Sequence, residues 1–153
     1  MKCEEVIWQI LGLLDQESKS VQDFLKIDKN CVQSLISLDK ACCNALVIAA
    51  RDLLKCANDE QNEYKFQAVL RAIISRQQSE TFELISDAFE SNEAIDKETY
   101  LNYLCDFGDS RAVPKLIRFL EQYETYNDET QKNASFVSLV KEAIDHLDGK
   151  YSQ

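Results

Sequence analysis

The side chains able to do chemistry are few and scattered. His146 is the only histidine in 153 residues. Asp145 lies beside it and Glu142 one helical turn earlier, so a general base could be assembled on that face. The sequence assigns it no nucleophile, and a solvated histidine near a helix C-terminus explains it as well. Cysteines stand at Cys3, Cys31, Cys42, Cys43, Cys56 and Cys105. None form a Cys-x-x-Cys pair, so zinc and thioredoxin spacings are missing. Cys42 and Cys43 are adjacent, and neighbours on a helix do not converge on one ligand. Cys42 and Cys56 sit in apolar, helical-looking surroundings, where cysteine serves as a small core residue. There is no Glu-x-x-His pair, no Asp-x-Asp-x-Asp-Gly loop and no glycine-rich phosphate loop. Taken together these observations point to a chain that is not an enzyme, with no catalytic, cofactor or metal-binding residues.

The carboxylates are patterned. Residues 1–75 carry 9 basic and 11 acidic side chains, whereas residues 76–153 carry 8 and 16. Between residues 80 and 109 stand Glu80, Glu83, Asp87, Glu90, Glu93, Asp96, Glu98, Asp106 and Asp109, with Lys97 as the one cation. Glu80, Glu83, Asp87 and Glu90 recur at helical spacing, opposite Phe82, Ile85 and Phe89. Like charges so placed repel by a few tenths of a kcal/mol per pair. Mixed charge would give solubility without that penalty. The stripe is therefore either a solvated outer face or an acidic docking surface for a basic partner. Residues 121–129 form a second acidic run bearing Tyr123 and Tyr126, the latter the best-placed exposed anchor. The expected partner-binding set is Glu80, Glu83, Asp87, Glu90, Glu93, Asp96, Tyr126, Asp128 and Glu129. Over the whole chain 17 Lys+Arg face 27 Asp+Glu, with pI near 4.6. Binding nucleic acid needs a basic face, so it is not an expected partner.

Helices must position these groups. Three glycines and one proline are too few for the turns of an all-β fold. Apolar residues recur at intervals of three and four in nine stripes. They run Val6–Leu14 with Trp8 at the edge, Val21–Leu25, Val32–Leu38, Ala41–Leu54, Phe66–Ile74, Phe82–Phe89, Tyr100–Phe107, Val113–Leu120 and Phe136–Leu147. Gly149 is the expected stop of the last. The N-terminus has no basic n-region, and the longest uncharged apolar run, Ala41–Ala50, is about half a membrane span. The expectation is a soluble, cytoplasmic protein with reduced cysteines, a monomer or weak dimer with no membrane partner.

An internal repeat emerges when the chain is shifted by about 32 residues, placing Glu83-Leu84-Ile85 on Lys115-Leu116-Ile117. A shift of about 40 sets Ala143–Gly149 against Tyr103–Asp109. The unit is a helical hairpin joined to the next by a tight turn. Its clearest copy contains Phe107-Gly108-Asp109, Arg111-Ala112-Val113-Pro114 and Leu116-Ile117-x-x-Leu120. These motifs resemble the HEAT-like repeat family in its short bacterial form, most clearly over residues 96–121 and in part over 66–95 and 133–149. The resemblance implies an all-α fold, a short right-handed α-solenoid of about eight to nine helices. It implies one domain over 1–153, with 1–60 an irregular helical cap and 61–150 the repeats. It also implies scaffold or binding work, although fold alone does not fix function. The leading expectation is a protein-binding module with an acidic docking face for a protein with a basic surface. An immunity protein masking a cationic toxin is its sharpest form. The alternatives are a scaffold or adaptor subunit, or a HEAT-like lyase accessory with Cys105 as its reactive thiol.

Overall fold

Side-chain caps start three of the helices in the computed structural model, which describes residues 2–91, 96–125 and 131–151. Among these residues there are eight α-helices, two 3₁₀ turns and no strand, so the chain is all-α. The helices are α1 (Cys3–Leu11), α2 (Val21–Ile36), α3 (Cys43–Leu54), α4 (Glu60–Ser75), α5 (Thr81–Glu90), α6 (Lys97–Phe107), α7 (Ala112–Thr125) and α8 (Gln131–Tyr151). The 3₁₀ turns are Gly12–Asp15 and Lys40–Cys42. Ser20, Asp59 and Asp96 each accept a backbone N–H at the start of α2, α4 and α6.

Two sequence expectations are corrected. The stripes at Val21–Leu25 and Val32–Leu38 fall on one helix, α2, with only Leu38 beyond its end. Nothing between them breaks a helix, and Phe24, Ile27, Cys31 and Leu35 continue one inward face through the polar residues. Nor does Gly149 stop α8, which runs on to Tyr151. A glycine permits a left-handed stop without enforcing one.

The described residues group into two compact units. The first reaches Leu84; the second takes Ile85–Glu90 and the residues from Asp96 onward. In the first unit α4 packs on α2 and α3, while α1 packs on the same two helices. Helix α4 thus groups with α1–α3. The ties between α2 and α4 follow one order along both helices. Phe24 meets Tyr64 with ring centroids 5.4 Å apart. Further on, Arg71 donates to Asp28 at 2.7 Å, and Arg76 reaches the end of α2. Helices α2 and α4 therefore run parallel. Helices α1 and α3 begin side by side, because Cys3 is disulfide-bonded to Cys42 with Cα atoms 5.4 Å apart. The paired residues are separated by 39, 43 and 40 positions. The unit is thus two helical hairpins, α1–α2 and α3–α4, laid side by side. The bond also corrects the expectation that all the cysteines stay reduced: hairpin packing brings two residues distant in sequence to disulfide separation.

Arg76 closes this unit. Its guanidinium donates to the carbonyls of Leu35 (3.3 Å), Ile36 (3.0 Å), Leu38 (2.7 Å) and Asp39 (3.1 Å). It also reaches Cys43 Sγ at 3.2 Å and, through Nε, Gln78 Oε1 at 2.9 Å. The last carbonyls of a helix lack intrahelical donors, and a cation there also meets the negative end of the helix dipole. At the other end of α4, Gln61 donates to the Leu14 carbonyl at 2.6 Å and Lys65 pairs with Asp15 at 3.0 Å. The Lys65 and Gln61 hydrogen bonds hold the Asp15 carboxyl below its usual range.

Arg76 owes its position to the turn that follows α4. The Gln77 N–H bonds to the Ile74 carbonyl and the Gln78 N–H to that of Ile73. This is a Schellman turn, with Gln77 in the left-handed region at φ 56. Gly108 takes the same place after α6, at φ 74. There Asp109 accepts from the backbone and side chain of Arg111, which hold its carboxyl below the usual range.

In the second unit α6 and α7 pack on α8. Phe89, Phe119 and Phe136 form an aromatic cluster, with centroids 5.1, 6.4 and 5.6 Å apart. Lys97 lies over the Phe89 ring and donates to the Phe89 carbonyl near the end of α5. Burial lowers the pKa of its ammonium.

Replacing Arg76 with alanine is expected to destabilise folding by about 2–3 kcal/mol, since several part-buried carbonyls lose a charged donor. Lysine should restore less than half, because an ammonium cannot reproduce the guanidinium fork. Urea denaturation of both variants, read by far-UV circular dichroism, checks this. Gln77→Gly should act in the opposite sense. Relief of the left-handed strain is expected to raise the midpoint by the equivalent of about 0.5–1 kcal/mol, with m unchanged.

Candidate functional site

Helix α5 presents the expected acidic stripe, and its burial pattern is sharp. Seven of its ten residues are buried; the three that are not are Glu83, Asp87 and Glu90. Solvent therefore meets only carboxylate-bearing positions on this helix. Glu80 lies just before the helix, where its carbonyl accepts the Leu84 N–H at 3.0 Å. Its carboxylate accepts from Ser79 Oγ at 3.2 Å. Glu80 and Glu83 thus flank the positive end of the α5 dipole, a favourable place for acid.

The stripe is not bare charge. Glu83 faces Arg51 of α3 at 3.8 Å, and Glu90 faces Lys115 of α7 at 3.4 Å. Both pairs are substantially solvated, so each holds its partner with at most about 1 kcal/mol. Asp96 has a structural task. Its carboxylate caps α6, accepting from the Thr99 N–H at 3.2 Å and Thr99 Oγ1 at 2.6 Å. Glu93, Tyr126, Asp128 and Glu129 lie outside the described residues. Tyr100, beside the stripe in sequence, is fully buried, with its ring 6.5 Å from that of Tyr103.

The remaining candidates for chemistry are dispersed. His146, Asp145 and Glu142 are exposed on α8. Among the described residues no three His, Cys, Asp or Glu side chains are placed to hold a metal ion. No single helix among them is long and apolar enough to cross a membrane. Cys31 is buried and its Sγ points at the Ile10 carbonyl at 3.6 Å. Burial, helped by Asp28, pushes its pKa up to about 11. Burial and then Asp106 also raise the Cys105 thiol. A nucleophilic cysteine needs the opposite environment. Cys56 is exposed, its Sγ hydrogen-bonding back to the Leu53 carbonyl at 3.5 Å.

Sequence reasoning missed two features of this surface. Arg51 and Lys115, which answer the stripe, come from other helices, and no local spacing links them to it. Trp8 and Ile48 read as parts of apolar helical patterns, yet they are 38% and 52% exposed. No protein-family model, curated protein or solved structure matches the chain.

Native-state thiol labelling at about pH 8 should separate the cysteines. The Cys31 thiol, its pKa pushed up to about 11, stays protonated there. Peptide mass spectrometry should show Cys56 modified first and Cys31 last; equal rates would contradict the buried placement.

Proposed function

We propose that the chain is a non-enzymatic protein-binding module that docks a partner with a basic surface. The observation that carries this reading is the solvent face of α5, where every residue left unburied is a carboxylate. Its ion pairs with Arg51 and Lys115 are exposed and weak, so a partner's cations can replace them at little cost. The surplus acid of residues 76–153 adds long-range attraction, which speeds encounter with a cationic surface. An immunity protein covering a cationic toxin is one form such a module could take.

We further propose that the hairpins stack as a short HEAT-like solenoid. Within the first unit, alternate helices pack together as α1 with α3 and α2 with α4, and in the second as α6 with α8. A separation near 40 residues between tied positions suits HEAT repeats. This architecture also supports a second reading, a scaffold or adaptor subunit. Val21 and Leu25, one turn apart on α2, are 76% and 57% exposed, an apolar edge suited to further packing. Cytoplasmic placement was the expectation from the sequence, and the Cys3–Cys42 bond weighs against it, since cytosolic thiols are kept reduced.

The test is affinity capture with wild type and an E83K/D87K/E90K variant, at low salt and at about 0.5 M, where the Debye length is a few ångström. A basic protein held by wild type alone, and released by salt, is the expected result. Equal capture by both proteins would mean the stripe is merely solvated. Capture that salt does not disturb would favour the scaffold reading.

A further inference from the structure

The first unit carries a groove that the acidic stripe does not explain. It runs between α1 and α3 and is lined by Glu4, Ile7 and Trp8 on one side and Ala45, Ile48, Ala49 and Asp52 on the other. Ala45 and Ala49, one turn apart, keep the α3 wall low. Trp8 and Ile48 expose apolar surface along it. Its volume is about 50 Å³, far below the roughly 300–1,000 Å³ of a small-molecule site. It is a notch for an inserted side chain, which points to a macromolecular occupant.

The rim charges select that occupant. Asp15, Asp28, Glu83 and Glu90 each have a cation from another helix. Glu4 and Asp52 are exposed, and among the described residues neither makes an ion pair. Two unanswered carboxylates thus border an apolar notch. The complementary ligand has a large apolar side chain for the notch and cations on either side of it. We infer that the α1–α3 groove docks a cationic amphipathic helix of a partner protein, its apolar face against Trp8 and Ile48 and its Lys or Arg side chains against Glu4 and Asp52. The site is also preorganised. Cys3 immediately precedes Glu4, and Cys42 precedes α3, so the disulfide fixes both walls at one end. A wall already fixed has less freedom to lose on binding. The inference does not depend on the α5 stripe, which lies on a different helix.

Trp8 is the only tryptophan in the chain, so its emission reports on the groove directly. The probe is a synthetic Leu/Lys amphipathic helix, titrated into the intact protein at low salt. Two controls have the same length: one with the same composition scrambled to destroy the apolar face, and one with Glu in place of Lys. The expected result is a saturable blue shift of Trp8 emission with the Leu/Lys helix alone. An E4Q/D52N variant should bind about tenfold more weakly, as befits two lost exposed ion pairs. Ile48→Ser, at an exposed position, should also weaken binding while leaving the circular dichroism unchanged. The D87K/E90K variant, which leaves the Glu83–Arg51 pair beside Asp52 in place, should bind as wild type does, which keeps this test separate from the proposed α5 docking face. An unchanged emission, equal binding of the scrambled peptide, or full affinity in E4Q/D52N would overturn the inference. So would a shift that follows protein concentration without peptide, which would assign the groove to a second copy of the chain.

Discussion

Carbonyls from the last turn of α2 and the loop beyond it converge on one part-buried point, and the first unit needs a cation there. Arg76 supplies it from α4, some forty residues away in sequence. The geometry demands a planar group with several donors, because the carbonyls of Leu35, Ile36 and Leu38 meet one guanidinium nitrogen and that of Asp39 meets another. Once the guanidinium is seated, the end of α2 and the start of α3 are fixed relative to α4. Gln78 extends the same cluster by donating to the Cys43 carbonyl at 3.1 Å. The left-handed backbone at Gln77 lets the chain turn within one residue, so that Arg76 and Gln78 both face inward. A strained residue is tolerated where the contacts it organises exceed its own penalty.

The helices were legible in the sequence, whereas the Arg76 cluster was not. Apolar spacing revealed the helices because helix period and burial are the same fact seen twice. Gly108 and Asp109 gave away the turn between α6 and α7, since a glycine before a capping acid has few other uses. The turn between α4 and α5 also rests on one left-handed residue but was hidden, because glutamine occupies that position. The side-by-side hairpins of the first unit were hidden for a related reason. A repeat is visible in sequence when like residues recur in runs, whereas the ties between these hairpins are single residues spread along the chain. The acidic stripe was legible as a pattern, but the cations that answer it were not, because they come from α3 and α7.

Helix α5 shows how one sequence feature can serve several physical ends. Its acids sit where the dipole welcomes them at the N-terminal end. At the other end, where an acid is unwelcome, Lys97 meets the Phe89 carbonyl and Lys115 meets Glu90. These arrangements stabilise the helix whether or not a partner ever contacts it. Evidence for docking therefore rests less on the number of carboxylates than on the absence of any other residue type from the helix's wet face.

The Cys3–Cys42 bond makes a closed ring of everything from the start of α1 to the threshold of α3. Within that ring the backbone has no free end. A protease that cuts once in the exposed loop between the 3₁₀ turn at Gly12–Asp15 and α2 leaves the chain in a single covalent piece. For the same reason α1 cannot be exchanged with the α1 of a neighbouring molecule unless the bond first opens. The ring thus makes α1, a helix of nine residues, a segment that parts from its neighbours only by chemistry.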